Sequence, residues 1–318
     1  MRLIRGLHNL HSFSGGCVAT IGNFDGVHYG HQVIIRQLQA KAKAMQLPAV
    51  VMVFEPQPRE FFDEINAPAR LMRFREKLEA IAALEVDVVL CLQFNRRLRH
   101  LEAQQFIDQV LVEGLHVKHL VVGDDFRFGC DRAGDFALLQ KAGELNSFSV
   151  DHTATVEVGG ARVSSTRLRR LLGDGRFEKA EELLGHPYSI SGRVLHGRKL
   201  GRQLNVPTAN VNLGRRRPAL KGVYVVDVLT ESGEMKPGVA NVGFRPTIEG
   251  GDPQPTLEVH LLDFDRNLYG QRLQVIFLEK LRDEQRFADL TELKTRIHQD
   301  IEQARQFFIG RPKKIAEQ

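Results

Sequence analysis

The chain has 318 residues, of which 42% are apolar and 26% charged, and its formal net charge is +5. These proportions are ordinary for a folded globular chain and exclude wholesale disorder, while the length leaves room for two independent cores. Mild basicity suits a polyanionic partner, nucleic acid or nucleoside phosphate alike, and does not choose between them. Cys17, Cys91 and Cys130 form no CxxC pair, so neither a zinc ribbon nor a disulfide framework is supported. Arg2 and Arg5 interrupt the start of the chain where a signal peptide needs an unbroken apolar stretch, and no run reaches the roughly 18 apolar residues of a membrane span. The expectation is a cytoplasmic protein that does not enter a membrane.

Up to about residue 184, short β-branched runs alternate with segments of helical period. Strands are expected at Val18 to Ile21, Ala49 to Phe54, Val86 to Leu92 and Lys118 to Val122. Between them, Val33, Ile34, Leu38, Ala42 and Met45, then Leu71, Phe74, Leu78 and Ile81, then Phe106 and Val110, follow the spacing of one helix face. Such alternation predicts a parallel sheet covered on both faces, with ligands at the carboxyl ends of its strands.

At the first of those ends stands Ile21-Gly-Asn-Phe-Asp-Gly-Val-His-Tyr-Gly-His31. Two histidines there could share a metal ion, but no third ligand is local. They could also hydrogen-bond within an ordinary turn. A phosphate site has more physics behind it: Gly22, Gly26 and Gly30 allow sharp turns and close approach, and a helix starting near Tyr29 or Gly30 aims unpaired N–H groups at an anion. His28 and His31, one helical turn apart, could each donate to a phosphate oxygen. Further on, Ser164-Ser-Thr-Arg-Leu-Arg169 precedes apolar Leu171 and Leu172 and is expected to be a capped helix start. Arg167 and Arg169 in its first turns oppose the helix dipole, which an anionic ligand such as triphosphate would offset; a solvated arginine-rich turn is the alternative.

After Leu184 the texture changes, through Gly185-His-Pro187, to closely spaced strands at Tyr188 to Leu195, Gly222 to Leu229, Pro237 to Val242, Thr256 to Leu262 and Arg272 to Leu278. Their glycine and proline turns predict an antiparallel barrel. Leu290, Leu293, Ile297, Ile301, Ala304 and Phe308 form the stripe of a closing helix expected to pack on it, and the Lys-rich tail after Gly310 is expected to fray. Arg193, Arg198, Lys199, Arg202 and Arg215 to Arg217 could make a nucleic-acid surface on charge alone, but a phosphate-site flank or a solvated loop explains them as well, and no nucleic-acid partner is expected.

Together, the 21–31 and 164–169 stretches, Val122-Gly-Asp-Asp-Phe-Arg-Phe-Gly129, Pro207-Thr-Ala-Asn210, Gly238-Val-Ala-Asn-Val-Gly-Phe-Arg-Pro-Thr247 and Glu258-Val-His-Leu-Leu-Asp263 resemble the bacterial bifunctional riboflavin kinase/FMN adenylyltransferases, or FAD synthetases, over nearly the whole chain. The resemblance implies an α/β Rossmann-like nucleotidyltransferase domain at 1–184, followed by an antiparallel β-barrel riboflavin kinase domain with a C-terminal helix at 185–318. In the first it implies ATP at Gly22, Asn23, Phe24, Asp25, His28, His31, Ser164, Ser165, Thr166 and Arg169, with flavin at Asp125, Phe126 and Arg127. For the second it implies ATP at Gly192, His196, Gly197, Gly201, Thr208 and Asn210, Mg²⁺ on Thr208 and Asn210, Glu258 as base, and flavin at Arg282. One departure stands out: Asn205 and Val206 replace the usual glycine and aromatic or Ile before the Pro-Thr-Ala-Asn run. Asn tolerates a left-handed turn, and the smaller Val206 alters packing beside the nucleotide rather than the chemistry.

The implied reactions make unlike demands. Phosphorylating riboflavin to FMN with ATP uses a neutral alcohol as nucleophile, which benefits from a base, here Glu258. Adenylylating FMN to FAD with release of pyrophosphate uses a phosphate that is already anionic, so His28 and His31 are expected to steady phosphates rather than take a proton. The partners implied are these small molecules; the oligomeric state stays open.

Overall fold

A computed structural model of the chain describes residues 1–10, 13, 15–196, 206–245 and 254–311. Gly197, Gly201 and Asn205, with Arg198, Lys199, Arg202 and the tail from Pro312, lie outside them. The chain forms two compact units, Met1–Pro68 with Phe74–Ser165, and Ala69–Arg73 with Thr166–Gln318.

The first unit is built on strands β1 (Arg2–Arg5), β2 (Cys17–Ile21), β3 (Ala49–Glu55), β4 (Val88–Gln93), β5 (Val117–Gly123) and β6 (Ser149–Thr153). They lie in the order β1-β4-β3-β2-β5-β6, and every neighbouring pair is parallel. All five residues of β2 are buried, as are the first five of β3 and of β4, because both faces of the sheet are covered. The covering elements are α1 (Tyr29–Met45), α2 (Pro58–Phe62), α3 (Phe74–Ala82), α4 (Arg96–Arg99), α5 (Ala103–Phe106), which continues as a π turn over Ile107–Val112, and α6 (Phe136–Asn146). A short hairpin of β7 (Glu157–Val158) and β8 (Ala161–Arg162) follows. Two strands escape the sequence pattern: β1 is four residues bounded by arginines, and β6, Ser-Val-Asp-His-Thr, is a polar edge strand. Strand order runs away from β2 in opposite directions, so the crevice outside the carboxyl ends of β2 and β5 is the topological switch point where α/β sheets bind ligands.

The second unit holds α7 (Ser165–Gly173) from its second residue, α8 (Phe177–Leu184) and strands β9 (Ser189–Leu195), β10 (Ala209–Val211), β11 (Gly222–Leu229), β12 (Met235–Arg245), β13 (Gln254–Leu261) and β14 (Arg272–Arg282). The strands close into a barrel in the order β10-β13-β12-β11-β14-β9, all neighbours antiparallel. The three-residue β10 is too short to read from periodicity. Although the texture of the sequence changes after Leu184, the packing division falls at Ser165, because α8 is seated on the barrel: Phe177 meets Tyr224 edge-on at 5.7 Å and stacks on Phe277 at 6.1 Å.

Leu71, expected on the face of a helix, instead belongs to a strap, Ala69–Arg73, held in the second unit. The Leu71 carbonyl accepts from Arg215 Nη1 at 2.8 Å and Tyr188 Oη at 2.9 Å, and the Ala69 carbonyl accepts from Arg169 Nε at 2.6 Å. The helix begins only at Phe74. Arg215 is therefore a buried structural residue, not part of a basic surface.

A final helix, α9 (Leu290–Gly310), is capped by Asp289, whose Oδ1 accepts from the N–H groups of Thr291 and Glu292 at 2.8 Å each. Ile301, Ala304 and Phe308 from its stripe pack on Val223, Val225, Val239 and Leu262 of the barrel. Leu290, at the start of that stripe, is exposed.

Candidate functional site

In the first unit the turn after β2 carries three of five consecutive residues with positive φ: Phe24 at 46°, Gly26 at 90° and Val27 at 39°. Of the three glycines expected to shape this turn, only Gly26 uses the left-handed region; Phe24 and β-branched Val27 hold it at a steric disadvantage, which the surrounding structure must sustain. Gly22 and Gly30 are needed for space instead. A Cβ on Gly22 would stand 3.0 Å from the Phe24 ring, and one on Gly30 3.3 Å from His28 Nδ1.

His28 is the N-cap of α1, its Nδ1 facing the His31 N–H at 3.4 Å. One turn on, the His31 ring stacks on the His28 ring with centroids 3.7 Å apart and planes 12° from parallel, and Phe24 leans on His31 from 5.0 Å. His31 Nδ1 is buried and has no hydrogen-bond partner. Burial first, then the adjacent His28 and Lys77, hold the His31 pKa well below its ordinary value, so the ring is neutral and can donate from only one nitrogen. Asp25 is buried beside them, and its carbonyl accepts from Ser165 Oγ at 2.9 Å. That bond ties the 164–169 motif to the 21–31 motif across 140 residues of sequence. Asn23 is exposed at the rim. Arg169 donates its Nε to the strap, while Thr166 begins the second unit's share of α7.

The other predicted contacts of this unit are less concentrated. Arg127 pairs with Asp135 at 3.2 Å, Asp125 with Arg162 at 2.9 Å, and Phe126 stacks on Phe128 with centroids 5.6 Å apart. Sequence reasoning passed over a group of aromatic rings at the carboxyl ends of β3 and β4. Phe94 sits 5.9 Å from Phe54, 5.4 Å from Phe61 and 5.8 Å from Phe62, whose exposed ring lies under Arg99. The available signal was the Phe61-Phe62 pair followed by an aromatic just past a strand end.

The barrel brings a second set together. In the β10–β13 ladder Asn210 stands directly opposite Glu258, and in the β12–β13 ladder Asn241 stands opposite the same glutamate. Directly opposed residues share a face with Cβ atoms about 4.5–5.5 Å apart. The buried neighbours Ala209, Val211, Leu257, Val259, Ala240 and Val242 alternate with these three, so the polar row lies on the outer face of the barrel. His260, two residues along the same face, sets its Nδ1 2.8 Å from the carbonyl of Pro207, beside Thr208, and its burial lowers its pKa. Asn241 lay inside a recognised motif but had no assigned role; only strand pairing shows it beside Glu258.

Gly192 has a structural reason to be glycine, since a Cβ there would lie 2.2 Å from the Asn212 carbonyl oxygen. His196 stacks on Tyr269 at 4.1 Å. Arg282 turns inward: its Nε lies 2.9 Å from Asp300 Oδ1 and its Nη2 2.8 Å from Oδ2, while Nη1 donates to the Asp283 carbonyl at 3.1 Å. Phe287 lies within 5.7 Å of the same guanidinium. Beside this cluster is a cavity of about 420 Å³, lined by Phe287, Asp289, Thr295, Arg296 and Gln299 among others.

Among known proteins, the family model described as FAD synthetase matches residues 10–167, and that described as riboflavin kinase matches residues 184–308. A bifunctional riboflavin kinase/FMN adenylyltransferase from Pseudomonas fluorescens is 57% identical over 96% of this chain and 97% of its own length. One of the same description from Escherichia coli K12 is 54% identical over 97% of this chain and 98% of its length. A crystal structure of a Streptococcus pneumoniae protein described as a macrolide-efflux protein superposes with a TM-score of 0.79 at 29% identity, over 96% of this chain and 99% of that one. Among the described residues of this chain no helix is long and apolar enough to cross a membrane.

Proposed function

Since the chain belongs to the family of bifunctional riboflavin kinase/FMN adenylyltransferases, we propose that it makes FMN from riboflavin on the outer face of the barrel and FAD from FMN at the switch point of the parallel sheet, each with ATP. The observation that carries the reading is the cross-strand pairing of Asn210 with Glu258, which sets an amide oxygen and a carboxylate side by side from distant parts of the sequence. In function the division follows the motifs: residues 1–184 serve adenylyl transfer and residues 185–318 serve the kinase. The three cysteines are unpaired thiols, which suits a cytoplasmic enzyme.

In the kinase step Glu258 takes the proton of the ribityl hydroxyl as its oxygen attacks the γ-phosphorus, and ADP leaves. The oxygen donors Thr208 and Asn210 fit Mg²⁺, a hard cation, which when bound would neutralise charge on the ATP phosphates. Gly192 and His196 serve the ATP side of this step, and Gly197 and Gly201, outside the described residues, belong to the same motif. Arg282 acts by holding Phe287 and the segment after β14, so that riboflavin lies against that segment and the neighbouring cavity.

For adenylyl transfer a phosphate oxygen of FMN attacks the α-phosphorus of ATP and pyrophosphate departs. No group need take a proton. Neutral His31 donates a hydrogen bond to the phosphates, His28 holds the mouth of α1 around them, and the N–H groups of that helix end face the anion. Gly22, Asn23, Phe24, Asp25, Ser164 and Ser165 shape the nucleotide side. The flavin ring finds an aromatic surface at Phe61, Phe62 and Phe94, with Asp125, Phe126 and Arg127 at its edge.

Two substitutions separate the sites. Glu258→Ala should stop FMN formation from riboflavin while FAD formation from supplied FMN continues, and His31→Ala should do the reverse. If either one stopped both steps in a folded protein, the two-site assignment would be wrong.

A further inference from the structure

In the proposed kinase site the Thr208 hydroxyl meets the ATP phosphates in step with Asn210, yet Thr208 stands just outside β10. On the β13 side the ladder begins at Ala209, opposite Val259, and on the β9 side at Asn210, opposite Leu195. Pro207, before Thr208, has no N–H with which to lengthen either ladder. A residue just past the end of a three-residue strand is the kind that frays, and ordering a frayed hydroxyl on a ligand costs entropy each time the ligand binds.

His260 supplies what the ladders lack. Continued by one residue, the β10–β13 register places Thr208 opposite His260, as Asn210 is opposite Glu258. Thr208, Asn210, Glu258 and His260 are each half-buried, whereas Ala209 and Val259 between them are buried, so the four share the outer face of the barrel. From that face His260 Nδ1 lies 2.8 Å from the Pro207 carbonyl oxygen. A carbonyl can only accept, so Nδ1 carries the proton and donates it. The carbonyl belongs to the same planar peptide as the Thr208 N–H. The pyrrolidine ring already locks φ of Pro207, so a bond that fixes its carbonyl sets ψ as well, and with it the direction from which the chain enters Thr208.

We propose that His260 is a positioning residue of the kinase step: by donating Nδ1–H to the Pro207 carbonyl it clamps the Pro207–Thr208 peptide to β13 and holds the Thr208 hydroxyl beside Asn210 for the ATP phosphates. This rests on the reading of the Asn210–Glu258 face as the kinase site. His260 itself touches neither substrate nor the transferred proton. Its effect is preorganisation, since the phosphate-binding turn is ordered before ATP arrives instead of at the expense of binding. One side chain of β13 thereby keeps the nucleotide turn in register with the base two residues away on the same strand.

The test begins with the unaltered protein in mildly alkaline buffer, where nitrogen NMR should show His260 protonated at Nδ1 and bare at Nε2; a bare Nδ1 overturns the proposal whether or not any variant folds. In the kinase assay His260→Gln, whose amide nitrogen stands one bond further out, should raise the KM for ATP about tenfold, the factor one hydrogen bond is worth, with little change in kcat. His260→Asn, whose amide nitrogen is bonded to Cγ as Nδ1 is, should bring that KM back to within about threefold of normal. FAD formation from supplied FMN should be unchanged in both. Equal KM values in the two variants overturn the clamp, and a fall in kcat at unchanged KM means that the ring acts on the reacting atoms and overturns it too. Glu258→Ala is run alongside: if it leaves FMN formation intact the reading of this face fails, whereas loss in Glu258→Ala with a normal ATP KM in His260→Gln rejects His260 alone.

Discussion

Asp300 lies in α9 with its side chain 3% exposed, gripped in a two-point hydrogen bond by Arg282 and approached by Arg296 Nε at 3.4 Å. Asp300→Asn keeps the shape and one acceptor oxygen but removes the negative charge shared by the two guanidiniums. Breaking a buried pair from one side costs about 3–5 kcal/mol, because the remaining charge stays desolvated. Arg296 is 29% exposed and water can reach it, so the lower end, about 3 kcal/mol, is expected. For a unit of this size each kcal/mol lowers the melting temperature by about 2–4 °C, giving a fall of about 6–12 °C. Arg282→Met should cost a similar amount. The double variant Arg282→Met with Asp300→Leu, which leaves neither charge behind, should be more stable than either single one. Thermal melts followed by circular dichroism would measure all three, and riboflavin KM in the kinase assay supplies the functional reading. Both single variants should raise that KM together, since each releases the segment carrying Phe287. A fall under about 2 °C for Asp300→Asn, or a KM that rises in Arg282→Met alone, would refute the reasoning and make Arg282 a direct flavin contact.

Gly192→Ala places a methyl against the Asn212 carbonyl, with 2.2 Å available, and should destabilise the barrel by about 1–3 kcal/mol or more; chemical denaturation should show this, and a normal melt with a selective rise in ATP KM would point to a ligand role instead. Acidification should weaken the first unit. His31 and His119 both have folded pKa values below the ordinary 6.5, His31 through burial and the adjacent His28 and Lys77, His119 through burial partly offset by Asp151. The unfolded chain therefore takes up protons first as pH falls through about 6.5, so stability is full above that pH and declines below it. Melts from pH 8 to pH 5 should show the decline, shallower in His31→Gln, and flat stability across that range would contradict the assigned burial.

Much of the fold is legible because its signals are local. The apolar runs that became β2 to β5 are continuous since both faces of a parallel sheet are buried, and β11 and β14 alternate or run apolar for lengths periodicity can detect. The residues in Ile21 to His31 and in the Pro207 to Asn210 run stand together in sequence, so short motifs reveal them. Pairing is not local. Asn241 beside Glu258, the bond from Ser165 to Asp25, and the placing of Leu71 under Tyr188 and Arg215 each join segments far apart in the chain, and nothing in either segment names the other. The same holds for charge. A lysine within an ordinary helical stretch looks like solvated surface until packing shows it fully buried, and Arg282 looks free to meet a ligand until α9 brings Asp300 to it. The sequence by itself determined the family and with it the two chemistries. Tertiary structure alone decided which charges are paired, which are buried and which nitrogen is left without a partner, because desolvation and Coulomb attraction depend on what packs around a group rather than on what precedes it in the chain.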